Sequence, residues 1–275
     1  MNQIAFGMPE VRRWAEFSSD FNPIHFDAEQ ARNAGLDDLV VHGMLALLPV
    51  KQAVSQAHAS GGAAVQQGDE GRWMKFHALF RNPIPHGSPS RLMVKPSRSG
   101  FAFQMSAEET QQERFRGSFT PAADHAGWLK QRGFAPASFL NLRAEDAERF
   151  AASYPEVQEG WIMLDAIIFS EFMRCQLDGI ARRVQRELAQ VMGNDSVHGL
   201  FVQASHTVYV DTQALRSPGP LPFGCDELSY ATGEPDVVVN SDKLIGSVSL
   251  PVVRGQKLIM LVEIGLLAKP VTRLQ

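Results

Sequence analysis

Val40-Val41-His42-Gly43-Met44-Leu45-Ala46-Leu47-Leu48-Pro49-Val50-Lys51-Gln52-Ala53-Val54 is apolar on nearly every side, the pattern of a helix buried at the centre of a fold rather than laid on its surface. Pro49 removes one backbone donor, yet helix-forming residues continue to about Ala59, which predicts a kink there and not an end. Beyond the Gly/Ala/Gln/Asp stretch at 60 to 71 the periodicity changes to strands: Arg72 to Phe80, Arg91 to Lys95, Phe101 to Ala107 and Glu113 to Phe119. One apolar helix followed by four antiparallel strands is a compact solution, because a sheet wrapped around a single helix buries most of its circumference.

Upstream, Pro9 to Phe17 has proline at a first helical position and apolar residues at 11, 14 and 17. This predicts a short amphipathic helix that delivers the chain into Ser18-Ser19-Asp20. A second short helix starts at Asp27, which caps it with Gln30 in an Asp-x-x-Gln box, and stops at Gly35. The second half repeats this order without repeating the sequence. Leu142 to Ser153 reads as a short helix, Trp161 to Met192 as a long one, and Leu200 to Asp211, Asp236 to Leu250 and Lys257 to Ala268 as strands. The linker-like Pro121-Ala122-Ala123-Asp124-His125-Ala126-Gly127 opens a dividing stretch at 121 to 135, giving units 1–125 and 126–275. Ser217 to Gly224, rich in proline and glycine, reads as a surface loop.

With 275 residues, 44% hydrophobic and 20% charged, the chain has the composition of a globular protein large enough for two ordinary domains. Residues 1–125 hold 12 basic and 13 acidic side chains, and the remainder 14 and 17, so no basic patch exists to neutralise phosphates and nucleic acid is not an expected partner. Met1 to Gly7 lacks the charged and apolar regions of an export signal. Apolar runs such as Leu258 to Leu261 and Gly265 to Ala268 are too short to span a bilayer. The expectation is a cytoplasmic protein with no membrane contact. Two cysteines, Cys175 and Cys225, give neither a disulfide framework nor a metal cluster.

Asp20-Phe21-Asn22-Pro23-Ile24-His25 places a carboxylate and an imidazole five residues apart. Pro23 fixes one backbone angle and Asn22 holds a turn, so Asp20 and His25 converge. Alone, Asp-x-Asn-Pro is an ordinary turn. What raises it above that is His42-Gly43-Met44 at a matched distance, because a glycine N–H heading a buried helix is a donor aimed at developing negative charge. An acid–base pair and an oxyanion donor are what the addition or removal of water beside a thioester carbonyl requires. His42, next to the glycine, reads as a hydrogen-bonded core residue. His86 belongs to a turn, and His77 lines either a pocket or an outer sheet face.

Phe17-Ser18-Ser19-Asp20-Phe21-Asn22-Pro23-Ile24-His25-Phe26-Asp27, then Val40-Val41-His42-Gly43-Met44-Leu45, resembles the signature of the R-specific enoyl-CoA hydratases, or MaoC-like dehydratases. Phe80-Arg81-Asn82-Pro83-Ile84-Pro85-His86-Gly87 looks like that family's strand, proline and hairpin-glycine element, and the likeness covers roughly residues 9 to 119. The resemblance implies a hotdog fold, with Asp20 and His25 as the catalytic pair, the Gly43 N–H as the oxyanion hole, and Asn22, Pro23 and His42 in support. It implies a hydro-lyase acting on 3-hydroxyacyl or trans-2-enoyl thioesters of coenzyme A or acyl carrier protein, with no metal or redox cofactor. Two positions depart from the family: Ser19 stands where glycine is frequent, and Ser88 where an acidic residue is common.

The expected class is therefore α+β, a double hotdog in which two antiparallel sheets, each around a central helix, form an intramolecular pseudo-dimer. The second unit lacks the Asp/His motif. Val197-His198-Gly199-Leu200 copies the look of Val41-His42-Gly43-Met44 but follows a helix instead of opening one, so it is read as a decoy. A single active site per chain follows. A hotdog thioesterase and a noncatalytic acyl-thioester-binding partner are the rival readings. Chain length, carrier, direction, further homo-oligomerisation and the division of roles between Asp20 and His25 stay open.

Overall fold

A computed structural model describes residues 2–60, 73–125, 127–175, 179, 182, 198–215, 227–240 and 243–271. The first half runs β1 (Asn2–Ile4), α1 (Met8–Ser18), a 3-10 turn at Pro23–His25, α2 (Ala28–Asn33), α3 (Gly43–Ala59), β2 (Trp73–Phe80), β3 (Ser90–Ser97), β4 (Gly100–Ala107) and β5 (Glu113–Ala122). The second runs α4 (Trp128–Gln131), β6 (Leu140–Asn141), α5 (Ala144–Ser153), α6 (Gly160–Cys175), β7 (His198–Asp211), α7 (Thr212–Leu215), β8 (Leu228–Tyr230), β9 (Asp236–Asn240), β10 (Lys243–Arg254) and β11 (Lys257–Val271). The strands make one sheet in the order β1-β3-β4-β5-β2-β7-β11-β10-β8-β6, with β9 on β10. The halves meet where β2 pairs antiparallel with β7, Trp73 opposite Asp211 and Leu79 opposite Ser205.

The apolar run that predicts a central helix forms α3, which continues through Pro49 and buries Met44, Leu45, Leu47, Leu48, Val50 and Val54. Its counterpart α6 is buried from Gly160 to Phe172. The two helices touch through Trp161, whose indole N–H donates to Ser55 Oγ at 3.0 Å and whose ring stacks on Phe119 of β5. Trp14 of α1 packs against Tyr154 and Phe169 of the second half, and a single apolar cluster extends through both halves. The expected double hotdog is thus the observed architecture, with one shared core. Among the described residues no helix is long and apolar enough to cross a membrane.

Several sequence expectations need correction. Asp236 to Leu250 is not one strand: β9 and β10 are antiparallel neighbours, Ser247 opposite Asp236. Lys243 pairs with Asn240, and the turn-forming residue types of Asn240-Ser241-Asp242 are obscured in the sequence by their valine-rich and aliphatic flanks. The stretch 121 to 135 is not a plain linker, since β5 reaches Ala122, α4 occupies Trp128–Gln131, and Asp124 accepts the Trp73 indole N–H at 3.0 Å. Helix α6 ends at Cys175; of the predicted continuation to Met192 only Gly179 and Arg182 are described, both helical, and the 217–224 loop lies outside the described residues. Gly199 sits in β7 opposite Pro270, so the second His-Gly pair heads no helix. His77 lies on β2 opposite Thr207 and bonds its Oγ1 at 2.8 Å, across the seam between the halves.

Sequence reading did not anticipate an ionic group at the centre of the core. Lys51 of α3 hydrogen-bonds Asp165 of α6, and His206 Nε2 of β7 reaches both carboxylate oxygens at 2.9 and 3.1 Å, all three side chains being inaccessible to solvent. Burial opposes the Asp165 charge, but His206 and Lys51 outweigh it and hold the carboxyl at about 2. Burial pulls both Lys51 and His206 below their usual values, the carboxylate pulling back. One ammonium and one carboxylate with a neutral imidazole is the charge-balanced arrangement. Truncating one member of such a pair leaves a buried charge uncompensated. Lys51→Met is expected to lower unfolding free energy by about 3–5 kcal/mol in a denaturant titration, whereas a loss under about 1 kcal/mol is what an exposed pair gives.

Candidate active site

Helix α1 is capped at its C-terminus by Ser19, whose φ of 62° lies in the left-handed region and whose N–H donates to Ala15 O at 2.8 Å. That geometry explains why glycine suits this position, since a side chain there is strained. The chain then turns through local bonds. The Asp20 N–H donates to Ser18 Oγ at 3.2 Å, the Asn22 N–H to Asp20 Oδ1 at 3.3 Å, and the Ile24 N–H to Asn22 Oδ1 at 3.3 Å. Pro23 opens the 3-10 turn that ends on His25.

Distant chain closes over this turn. His25 Nδ1 lies 2.7 Å from Val40 O and must carry a hydrogen to bond it, which leaves Nε2 with a lone pair. The Val41 N–H donates to Ile84 O at 2.8 Å and Val40 bridges Pro85, so the Asn82–Pro85 segment braces the approach to α3. By the same reasoning His42 donates from Nε2 to the Asp20 backbone oxygen at 2.9 Å, while its ring stacks on His25 with centroids 3.7 Å apart. The position read as supporting thus holds both members of the pair. Asp20, His25 and His42 each bring one side-chain nitrogen or oxygen within 4.8 Å of the others. These atoms can gather around a cation, although each imidazole has one nitrogen engaged with a backbone carbonyl.

Burial governs the charges here. It pushes the Asp20 carboxyl above its ordinary value, against the pull of His25 and the Asn22 N–H. It drives His25 down despite Asp20 and Val40, and takes His42 to about 3 with help from His25. Both rings are therefore neutral near pH 7.

Gly43 is the first residue of α3, where helix N–H groups have no partner within the helix. A Cβ on it would lie 2.9 and 3.0 Å from two Phe80 ring carbons, and 3.5 Å from Gln203 Oε1. Asp20, His25 and Gly43 all line one cavity of about 400 Å³. Phe80, Ile84 and Phe115 wall it from the first half, and Phe169, Phe172, Gln203 and Ile264 from the second. Sequence reasoning missed the second-half residues individually. Which alternate side chains of β7 and β11 face the cavity depends on how the two sheets join, and no local periodicity encodes that.

A histidine held neutral in the fold protonates on unfolding below its ordinary value of 6.5, so the unfolded state takes up more protons and stability falls with pH. His25, His42 and His206 share this sign, each up to about 1.4 kcal/mol per pH unit; Asp20, with its raised value, opposes it. The melting temperature is expected to drop steadily from pH 7 to pH 5. A flat profile would contradict the neutral assignment.

A single sheet whose two halves each enclose a central helix defines a hotdog protein of the two-in-one-chain kind. Residues 4–113, in the first half of the chain, match the family model described as MaoC like domain. A mitochondrial 3-hydroxyacyl-[acyl-carrier-protein] dehydratase of Arabidopsis thaliana is 42% identical over 79 residues, 29% of this chain and 42% of that protein. The mitochondrial 3-hydroxyacyl-[acyl-carrier-protein] dehydratase FERN of Solanum lycopersicum is 39% identical over 62 residues, 22% of this chain and 37% of that one. The chain thus spans about two fifths of these relatives' length. A solved structure described as a MaoC-like dehydratase superposes over 96% of this chain and 95% of its own, with a TM-score of 0.51 and 11% identity, a likeness of fold alone.

Proposed function

We propose that the chain dehydrates (3R)-3-hydroxyacyl thioesters to trans-2-enoyl thioesters, or runs the reverse hydration, on coenzyme A or the phosphopantetheine arm of an acyl carrier protein. The observation that carries the reading is the tautomer of His25: Nδ1–H fixed on Val40 O leaves the Nε2 lone pair uncommitted, in a cavity that Asp20 and Gly43 also line. In hydration the pair orients a water and takes its proton as oxygen attacks C3. Charge then moves to the thioester oxygen, which the Gly43 N–H stabilises together with the α3 dipole. Protonation of the α carbon completes the addition. Burial favours the uncharged form of both groups, and a neutral imidazole can take a proton while a protonated carboxyl can give one, so the pair suits both directions.

The first half supplies the reacting groups, and Phe169, Phe172 and Ile264 from the second give the acyl chain an apolar wall. The reaction as written needs neither metal nor redox cofactor. A cytosolic location belongs to the proposal, and cell fractionation tests it.

Hydration of trans-2-butenoyl-CoA is followed by loss of the conjugated absorbance. Asp20→Asn and His25→Ala are each expected to reduce the rate roughly 100-fold or more, and unchanged rates in both would sink the assignment. Gly43→Ala, which pushes a methyl into the Phe80 ring, is expected to cost at least about tenfold. Release of free thiol without loss of the enoyl group would identify a thioesterase instead, and tight binding without turnover a carrier-binding partner.

A further inference from the structure

Gln203 lies on β7 and is the polar side chain in the second-half wall of the cavity; Phe169, Phe172, Met173, Val202, Ile264 and their neighbours there are apolar. Its orientation is not free. His206 directs Nε2–H at the Asp165 carboxylate, so its Nδ1 carries a lone pair, and Gln203 Nε2 stands 3.2 Å from that nitrogen and 3.7 Å from Met44 Sδ. The amide must turn its NH2 to the imidazole and its oxygen the other way. Oε1 then sits 3.5 Å from where a Gly43 Cβ would be, on the lining of the cavity. The buried Lys51–Asp165–His206 group therefore fixes a hydrogen-bond acceptor beside the N–H assigned to the thioester oxygen.

An acceptor in that corner needs a donor from the ligand, since an unmatched carbonyl oxygen works against negative charge developing next to it. The enoyl chain carries no donor. The 3-hydroxyl of the hydrated form is committed to Asp20 and His25. The first donor that substrate and product share is the amide N–H of the carrier arm, two methylenes beyond the sulfur. We propose that Gln203 binds the arm of the acyl thioester by accepting this N–H, making the second half a determinant of carrier recognition as well as a wall. The inference rests on the thioester reading of the cavity.

Butyryl-pantetheine and its analogue with an ester oxygen in place of the first amide N–H test this, because neither is hydrated and binding is read without turnover. Wild type is expected to bind the amide form about tenfold more tightly, and Gln203→Leu to bind both alike. The ratio is internal to each protein sample, so partial unfolding of the variant leaves it unchanged. No preference in wild type, the same preference in Gln203→Leu, or binding of neither thioester overturns the inference. A protein inactive on the enoyl substrate that nevertheless loses its preference on Gln203→Leu retains it and defeats the dehydratase reading; an active one whose preference survives the substitution does the reverse.

Discussion

The ion pair between Lys51 and Asp165 ties the central helix of one half to that of the other, and His206 extends the tie to the strand at the seam. Apolar packing tolerates small slides between helices, but a buried charge pair does not, because any separation exposes each partner to a medium that cannot solvate it. The relative position of α3, α6 and β7 is fixed by this constraint more than by any apolar contact. The cavity inherits that precision, since Gly43 and Met44 begin α3 while Phe169 and Gln203 lie on α6 and β7.

Much of the first half was legible from sequence because its signals are local. The largely apolar stretch from Val40 to Val54, the Asp27 cap and the four strand periods each follow from residues within one turn or one pleat, and the structure returns them with small shifts at the ends. The turn that joins Asp20 to His25 was equally local, built from Ser18, Asn22 and Pro23. The support that depends on distant chain was not. Val40 O on His25 and Asp20 O on His42 are backbone acceptors, which no side-chain pattern announces. Lys51 and Asp165 did leave a trace: Lys51 is the one charge in α3, apart from any on histidine, and Asp165 interrupts the apolar run from Trp161 to Phe169 in α6. Pairing them required knowing that those helices touch.

The candidate site keeps charge out of a desolvated place by using backbone groups in place of counter-ions. Val40 O sets the His25 tautomer, Asp20 O sets that of His42, and a helix terminus supplies the donor at Gly43. Carbonyls and N–H groups belong to the fold and do not titrate. The one costly conformation is at Ser19, where the left-handed turn that aims Asp20 is taken by a residue with a side chain. The site tolerates that strain because the turn is held from three sides.

The β2–β7 pairing is made within one polypeptide, and this changes how the protein responds to dilution. Two separate subunits joined along such a seam would part as their concentration fell, and a cavity walled by both would be lost with them. Here the second half is present at an effective concentration set by chain connectivity, so the site remains whole in a sparsely expressed protein as in an abundant one. The same linkage frees each half from having to serve both sides of a symmetric interface, which leaves Gln203 and His206 able to specialise where a symmetric subunit would have to repeat them.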